Sequence, residues 1–150
     1  MDEHSIGFQI RCVHNLIKRY VDTLPVKQQM DSVTGLHGWV IGYLCHHPDQ
    51  DVYQRDLEAQ FQIRRSTASG ILRLMENNGL IRREPVASDA RLKKLVLTDK
   101  AIQLHRLAQG EIQLLEDRIT SGLSPGELAA FCETLQKIKH NLENQEDPKP

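Results

Sequence analysis

Aromatic side chains are scarce in this 150-residue chain, with one Trp, three Tyr and three Phe. A core must therefore come from Leu, Ile and Val, which suits helix packed on helix. Cysteines are also few. Cys12, Cys45 and Cys132 are odd in number and far apart, which excludes a disulfide framework and points to a reducing cytoplasm. No apolar run is long enough to cross a bilayer; the longest, Trp39 to Cys45, contains Gly42 and stops at His46-His47-Pro48. The opening residues are acidic and lack an apolar core, so no secretory signal is expected. A Gly-rich phosphate loop, a Gly-x-Ser-x-Gly elbow and a zinc-protease helix are all missing, which argues against an enzyme. Seven histidines contain no His-x-x-x-His pair, and the adjacent His46 and His47 would point about 100° apart on a helix. No metal and no cofactor are expected.

What is present is an uneven charge. From Phe61 to Lys94 the bases are Arg64, Arg65, Arg73, Arg82, Arg83, Arg91, Lys93 and Lys94, against Glu76, Glu84 and Asp89. That segment carries about five positive charges while the chain sums to −1, so the remainder carries about minus six. A local basic surface binds a nucleic-acid duplex by releasing its counterions. A solvated helix face would carry the same charge, so the context must decide.

Helical spacing of Ile6, Ile10, Val13, Ile17, Tyr20 and Leu24 predicts a first helix that Pro25 helps to end. Lys27 to Val33 is a polar connection. Thr34 is placed to cap a second helix carrying Leu36, Trp39, Val40, Tyr43 and Leu44. A short helix follows near Gln54 to Phe61. The basic helix runs roughly from Arg64 to Asn77, with Ala68, Ile71, Leu72 and Met75 as its buried stripe. Ser66, Ser69, Arg73 and Asn77 then share the opposite face, with Arg65 at its flank. Asn78-Gly79 is a C-cap turn. Leu80 to Glu84 and Lys94 to Leu97 read as two short strands, with Pro85 to Leu92 as the loop. Thr98 caps a long helix to about Thr120. Ser124-Pro125-Gly126-Glu127 is a capping box that opens the last helix. Residues 144–150 are polar and expected to be a disordered tail. Helix, turn, basic helix and charged hairpin, in that order, make a winged helix-turn-helix, an arrangement that grips duplex DNA.

These elements resemble the MarR family of multiple-antibiotic-resistance regulators. The likeness rests on Gln54-Arg55-Asp56-Leu57, on Arg65-Ser66-Thr67-Ala68-Ser69 through Met75-Glu76, and on Gly79-Leu80-Ile81. The most specific piece is the wing Asp89-Ala90-Arg91 followed by Leu97-Thr98. The resemblance implies a mainly α fold with a small β-hairpin wing, made of a DNA-binding lobe at 34–98 and dimerisation helices at 1–30 and 99–143. It implies a homodimeric transcriptional regulator in the cytoplasm, commonly a repressor released by a small-molecule effector, on a pseudo-palindromic DNA operator. By that analogy Arg64, Arg65, Ser66, Thr67, Ser69 and Arg73 enter the major groove. Arg91 reaches the minor groove with Asp89 holding its guanidinium, and Lys93 and Lys94 add phosphate contacts. The sequence departs from the family at three places: Gln62 in a turn that is often glycine, Gly70 where a larger residue is common, and Ala101 where glycine is common. A mid-helix glycine costs about 1 kcal/mol relative to alanine, for which close backbone approach would be a compensation.

An effector pocket in this family lies between the dimer helices and the reading lobe, where Arg11, His37, Trp39 and Tyr43 are candidates. For Trp39 and Tyr43 the core stripe of the second helix is the better reading. The paired histidines of zinc-sensing relatives are missing, since His105 is followed by Gln109. Cys12, between Arg11 and His14, is the candidate for a thiol redox sensor, although a cysteine near an apolar stripe is more often a small core residue. Competing readings are a protein-interaction module on a winged-helix scaffold and a sequence-indifferent architectural DNA binder.

Overall fold

The computed structural model describes residues 4–25, 35–87 and 89–143, without the side chains of Gly35 and Ala90. The expected cap at Thr34, the connection Lys27 to Val33 and the tail 144–150 lie outside the described residues. Two compact units result, residues 1–112 and 113–150.

The first unit opens with α1 (Ile6–Asp22), whose cap Ser5 accepts from the Phe8 N–H at 3.4 Å. None of its residues is buried, and Ile6, Phe8, Ile10, Val13 and Leu16 are exposed. Next comes α2 (Gly35–His46), apolar on every side, with Val40, Ile41, Leu44 and His37 buried. Its C-terminal carbonyls are closed by two imidazoles. His46 Nδ1 lies 2.6 Å from Gly42 O and His47 Nδ1 2.8 Å from Tyr43 O. A carbonyl only accepts, so both rings carry their proton on Nδ1.

Helix α3 (Gln54–Phe61) starts where the Tyr53 N–H donates to Asp56 Oδ2 at 2.8 Å. It ends at Gln62, which takes a left-handed φ of 51°, the conformation for which that turn usually carries glycine. Helix α4 (Arg65–Asn77) buries Ala68, Leu72 and Met75, with Ile71 half-buried, as its 3.6-residue spacing requires. Gly79, at φ 66°, closes α4 with two reversed bonds, from Gly79 N to Glu76 O at 3.0 Å and from Leu80 N to Met75 O at 2.8 Å. Leu80, fully buried, turns directly into the hairpin.

The hairpin is longer than expected. Strands β1 (Ile81–Val86) and β2 (Asp89–Leu97) pair antiparallel from Ile81↔Leu97 to Pro85↔Lys93, with an irregularity between Pro85 and Val86. Most of the loop expected over Pro85 to Leu92 is therefore strand. A proline is tolerated in a strand at an edge or a bulge, so Pro85 does not end β1. At the base of the hairpin the Leu95 N–H donates to Val52 O at 2.8 Å, tying β2 to the segment before α3.

Helix α5 (Asp99–Thr120) begins on Thr98, whose Oγ1 accepts from Ala101 N at 3.3 Å and donates to Gly79 O at 2.7 Å. Buried side chains of α2, α3, α4, β1, β2 and the first turn of α5 make one core, with Leu57, Leu72, Met75, Leu80 and Ile81 among its most enclosed members.

The second unit holds the end of α5 and α6 (Pro125–Glu143). The capping box is formed as the sequence predicts. Ser124 N and Oγ reach Glu127 Oε2 at 2.8 and 2.7 Å, and Glu127 N reaches Ser124 Oγ at 3.3 Å. These bonds hold the Glu127 carboxyl below its usual pKa. No residue of α6 is buried, and Phe131 and Leu142 stand exposed. Among the described residues no helix is long and apolar enough to cross a membrane.

Candidate nucleic-acid interface

Burial of one face of α4 forces the other outward. Arg65, Ser66, Thr67, Ser69 and Arg73 are all exposed, as is Arg64 at the N-cap. On β2 the side-chain alternation separates the bases. Arg91 and Lys93 share one exposed face, whereas Lys94 points to the other. There its Nζ meets Asp51 Oδ1 at 3.0 Å. That hydrogen bond and the Asp51 charge raise the Lys94 pKa. Lys94, expected to contact phosphate, is held by Asp51 in this structure.

Two further bases are similarly engaged. Arg83 Nε lies 3.3 Å from Glu76 Oε2, and Arg82 Nε lies 3.8 Å from Glu84 Oε1. Arg64, Arg65, Arg73, Arg91 and Lys93 have no ion-pair partner among the described residues. Five exposed cations on α4 and β2 are the electrostatic content of this face. Asp89 is engaged locally as well. Its Oδ1 accepts the backbone N–H of Arg91 at 2.9 Å. An aspartate bonded two residues along stabilises a turn, so Asp89 shapes the wing tip and leaves the Arg91 side chain free to reach.

One contact of α4 was not expected. Gln54 Nε2, on the first turn of α3, reaches Ser69 Oγ at 2.9 Å and Glu58 Oε1 at 2.8 Å. A separation of fifteen residues leaves no local pattern by which to find it. Gly70 is open: a Cβ there would meet nothing within 4 Å, so no intrachain contact requires glycine.

Residues 31–92 match the sequence model of the MarR family. The transcription regulator MarR from Oenococcus oeni PSU-1 is similar over 91% of this chain and 99% of its own, with 29% identity and a TM-score of 0.78. The S. aureus MepR–DNA complex is similar over 93% of this chain and 99% of that one, with 27% identity and a TM-score of 0.81. The chain is similar to MarR-family winged-helix proteins in fold, and its residues 31–92 match that family in sequence. The PcaV regulator from Streptomyces coelicolor, solved with its natural ligand, has a TM-score of 0.80 at 20% identity over 93% of this chain and 96% of that one, a likeness of fold alone.

The other candidate residues lie on α1 and α2. His37 is buried while Trp39, two positions on, is 62% exposed, so the expected core role of Trp39 is corrected. An apolar helix without a polar side gives no sign of which face turns outward. Tyr43 is half-buried, stacked on His47 at 4.2 Å and edge-on to Phe61 at 6.0 Å. Arg11 lines an open groove with Gly7, Ile10 and His14, all from α1. Cys12 and Cys45 are half-buried and Cys132 exposed; burial raises the Cys45 pKa. No group of three or more metal-ligating residues occurs among the described residues.

His105 of α5 packs against α2. Its ring centroid lies 6.3 Å from that of His46, and its Cε1 lies 3.6 Å from where a Gly42 Cβ would be. Burial, then the charge of His46, lower the His105 pKa. A depressed value means the unfolded state binds the proton more readily. The stabilisation is complete above the unfolded value of about 6.5 and is lost as pH falls through the folded value. Thermal melts should therefore show a fall in Tm on acidification below that point, and His105→Gln should flatten it. An unchanged slope in the variant would remove His105 as the cause.

Proposed function

We propose that this chain is a homodimeric, sequence-specific DNA-binding transcriptional regulator, acting in the cytoplasm as a repressor released by a small-molecule effector. The observation that carries the DNA reading is the set Arg64, Arg65, Arg73, Arg91 and Lys93, exposed and without acidic partners among the described residues. The S. aureus MepR structure, at 27% identity, was solved as a DNA complex, which supports the same use here. In this reading residues 34–98 form the DNA-binding lobe. Arg64, Arg65, Ser66, Thr67, Ser69 and Arg73 face the major groove, and Arg91 the minor groove. Lys93 contacts phosphate and Asp89 shapes the tip between them.

Residues 1–30 and 99–143 are the dimerisation helices. Exposed Ile6, Ile10, Val13 and Leu16 on α1, and separately Phe131 and Leu142 on α6, supply apolar faces for a partner protomer to cover. Trp39, exposed at 62%, is available to an effector or to a partner protomer.

Selection from a random duplex pool, followed by titration of the enriched site at two salt concentrations, tests the proposal. A two-fold motif with half-sites about one helical turn apart is expected. Motif-free, salt-sensitive binding would replace it with the architectural reading. Arg91→Ala should weaken binding several-fold and flatten the base preference flanking each half-site. Unchanged affinity would remove Arg91 from the interface.

A further inference from the structure

Ser69 stands on the exposed face of α4, yet its hydroxyl has a fixed partner on another helix. The Gln54 amide nitrogen touches both Glu58 Oε1 and Ser69 Oγ, at 2.8 and 2.9 Å. Amide nitrogen and oxygen are alike in shape, so the orientation of such a group follows from its network. Glu58 decides it here. An ionised carboxylate only accepts, so the end of the Gln54 amide that faces it must be the NH₂. Both of its hydrogens are then engaged, one on Glu58 and one on Ser69.

It follows that Ser69 Oγ accepts in this bond and keeps its own proton for something else. Helical Ser and Thr commonly give that proton to the carbonyl four residues back, as Thr120 does to Glu116 O at 2.9 Å and Thr134 to Ala130 O at 2.8 Å. Ser69 makes no such bond among the described residues; its one side-chain bond is to Gln54. Its donor is therefore unspent and exposed.

We infer that Gln54 is a specificity-determining positioning residue, which sets Ser69 as an outward hydrogen-bond donor so that α4 selects base edges presenting an acceptor. This rests on the DNA-binding reading above. In the major groove, guanine offers N7 and O6, adenine N7 and thymine O4, whereas cytosine offers only its N4 amino donor. A hydroxyl free to rotate would accept from cytosine as easily as it donates to the others. Gln54 takes one of the two lone pairs of Ser69 Oγ and fixes the hydroxyl, which keeps its donor and a single acceptor site and so accepts from cytosine less readily. The Glu58–Gln54–Ser69 chain thus disfavours cytosine at one position of the strand that Ser69 faces.

Selection from the random duplex pool with the full-length chain, its Gln54→Met, Ser69→Ala and double variants tests this. Methionine matches glutamine in length and removes both donors. In the wild type, cytosine should be depleted at one position per half-site. Gln54→Met should admit it there and lower affinity for the preferred site on the order of three- to tenfold, with the salt slope unchanged. Ser69→Ala should flatten that same position, and the double variant should lose nothing more. Comparison at equal folded fraction, read by circular dichroism, separates these effects from folding. A wild-type motif that Gln54→Met leaves intact, or alters at a different position from Ser69→Ala, would overturn this inference alone. So would a Ser69→Ala variant that weakens every sequence equally and reduces the salt slope, the mark of a phosphate contact. A wild type that recovers no motif would overturn both this inference and the sequence-specific reading on which it rests.

Discussion

Leu72→Ala is expected to destabilise the protein by roughly 2–5 kcal/mol. Leu72 is fully buried on the inner face of α4, in one cluster with Leu57, Met75, Leu80 and Ile81. Three elements, α3, α4 and β1, meet there, so shrinking the side chain leaves a cavity that no single helix can close by shifting. The loss combines the transfer energy of the deleted methyl groups with the contacts their neighbours forfeit. Urea unfolding at fixed protein concentration should show a lower midpoint with unchanged slope. At a temperature where the variant stays folded, DNA affinity should be close to wild type, because Leu72 has no exposed atom to offer a ligand. A change below about 1 kcal/mol would mean that the lobe collapses around the deletion, contrary to close packing.

Arg73→Ala should do the reverse, leaving stability within about 0.5 kcal/mol while DNA binding weakens. Arg73 lies four positions beyond Ser69 on the same exposed face and has no acidic partner among the described residues. If its guanidinium forms a bidentate pair with guanine O6 and N7, alanine should cost roughly 1–3 kcal/mol of discrimination at that base pair. Titrations against the enriched site and single-base variants distinguish this from a phosphate contact. Base reading gives a loss concentrated at one position; phosphate binding gives a uniform loss and a smaller dependence on salt. Affinity unchanged on every sequence would place Arg73 outside the interface.

The course of α4 was legible because its apolar spacing and its charged face are two readings of one 3.6-residue period. Ala68, Leu72 and Met75 are buried, and Ser69 and Arg73 exposed, as that period requires. The box at Ser124 and Glu127 was equally legible, since its bonds join residues three apart. The alternation along β2 was legible in principle, but placing Lys94 outside the strand's exposed face needed the strand to extend past Lys93. Reading Pro85 to Leu92 as a loop hid that extension. The outward turn of Trp39 was hidden for a different reason. With apolar residues all round α2, no periodicity distinguishes a buried face from an uncovered one. Gln54 and Ser69 are joined only by the packing of α3 on α4, and no local pattern carries such a contact.

Thr98 has a mechanical meaning beyond its role as a cap. Its hydroxyl is bonded to the carbonyls of Gly79 and Leu80, its own N–H returns to Leu80 O, and Lys100 Nζ holds Asn78 O at 2.9 Å. The foot of α4 and the first turn of α5 are thereby riveted together through backbone oxygens. Torque applied to α5 near that joint passes directly into the helix that carries Ser69 and Arg73, with little slack to absorb it. Hydrogen bonds to carbonyls are directional, so the rivet fixes the angle between the two helices as well as their distance.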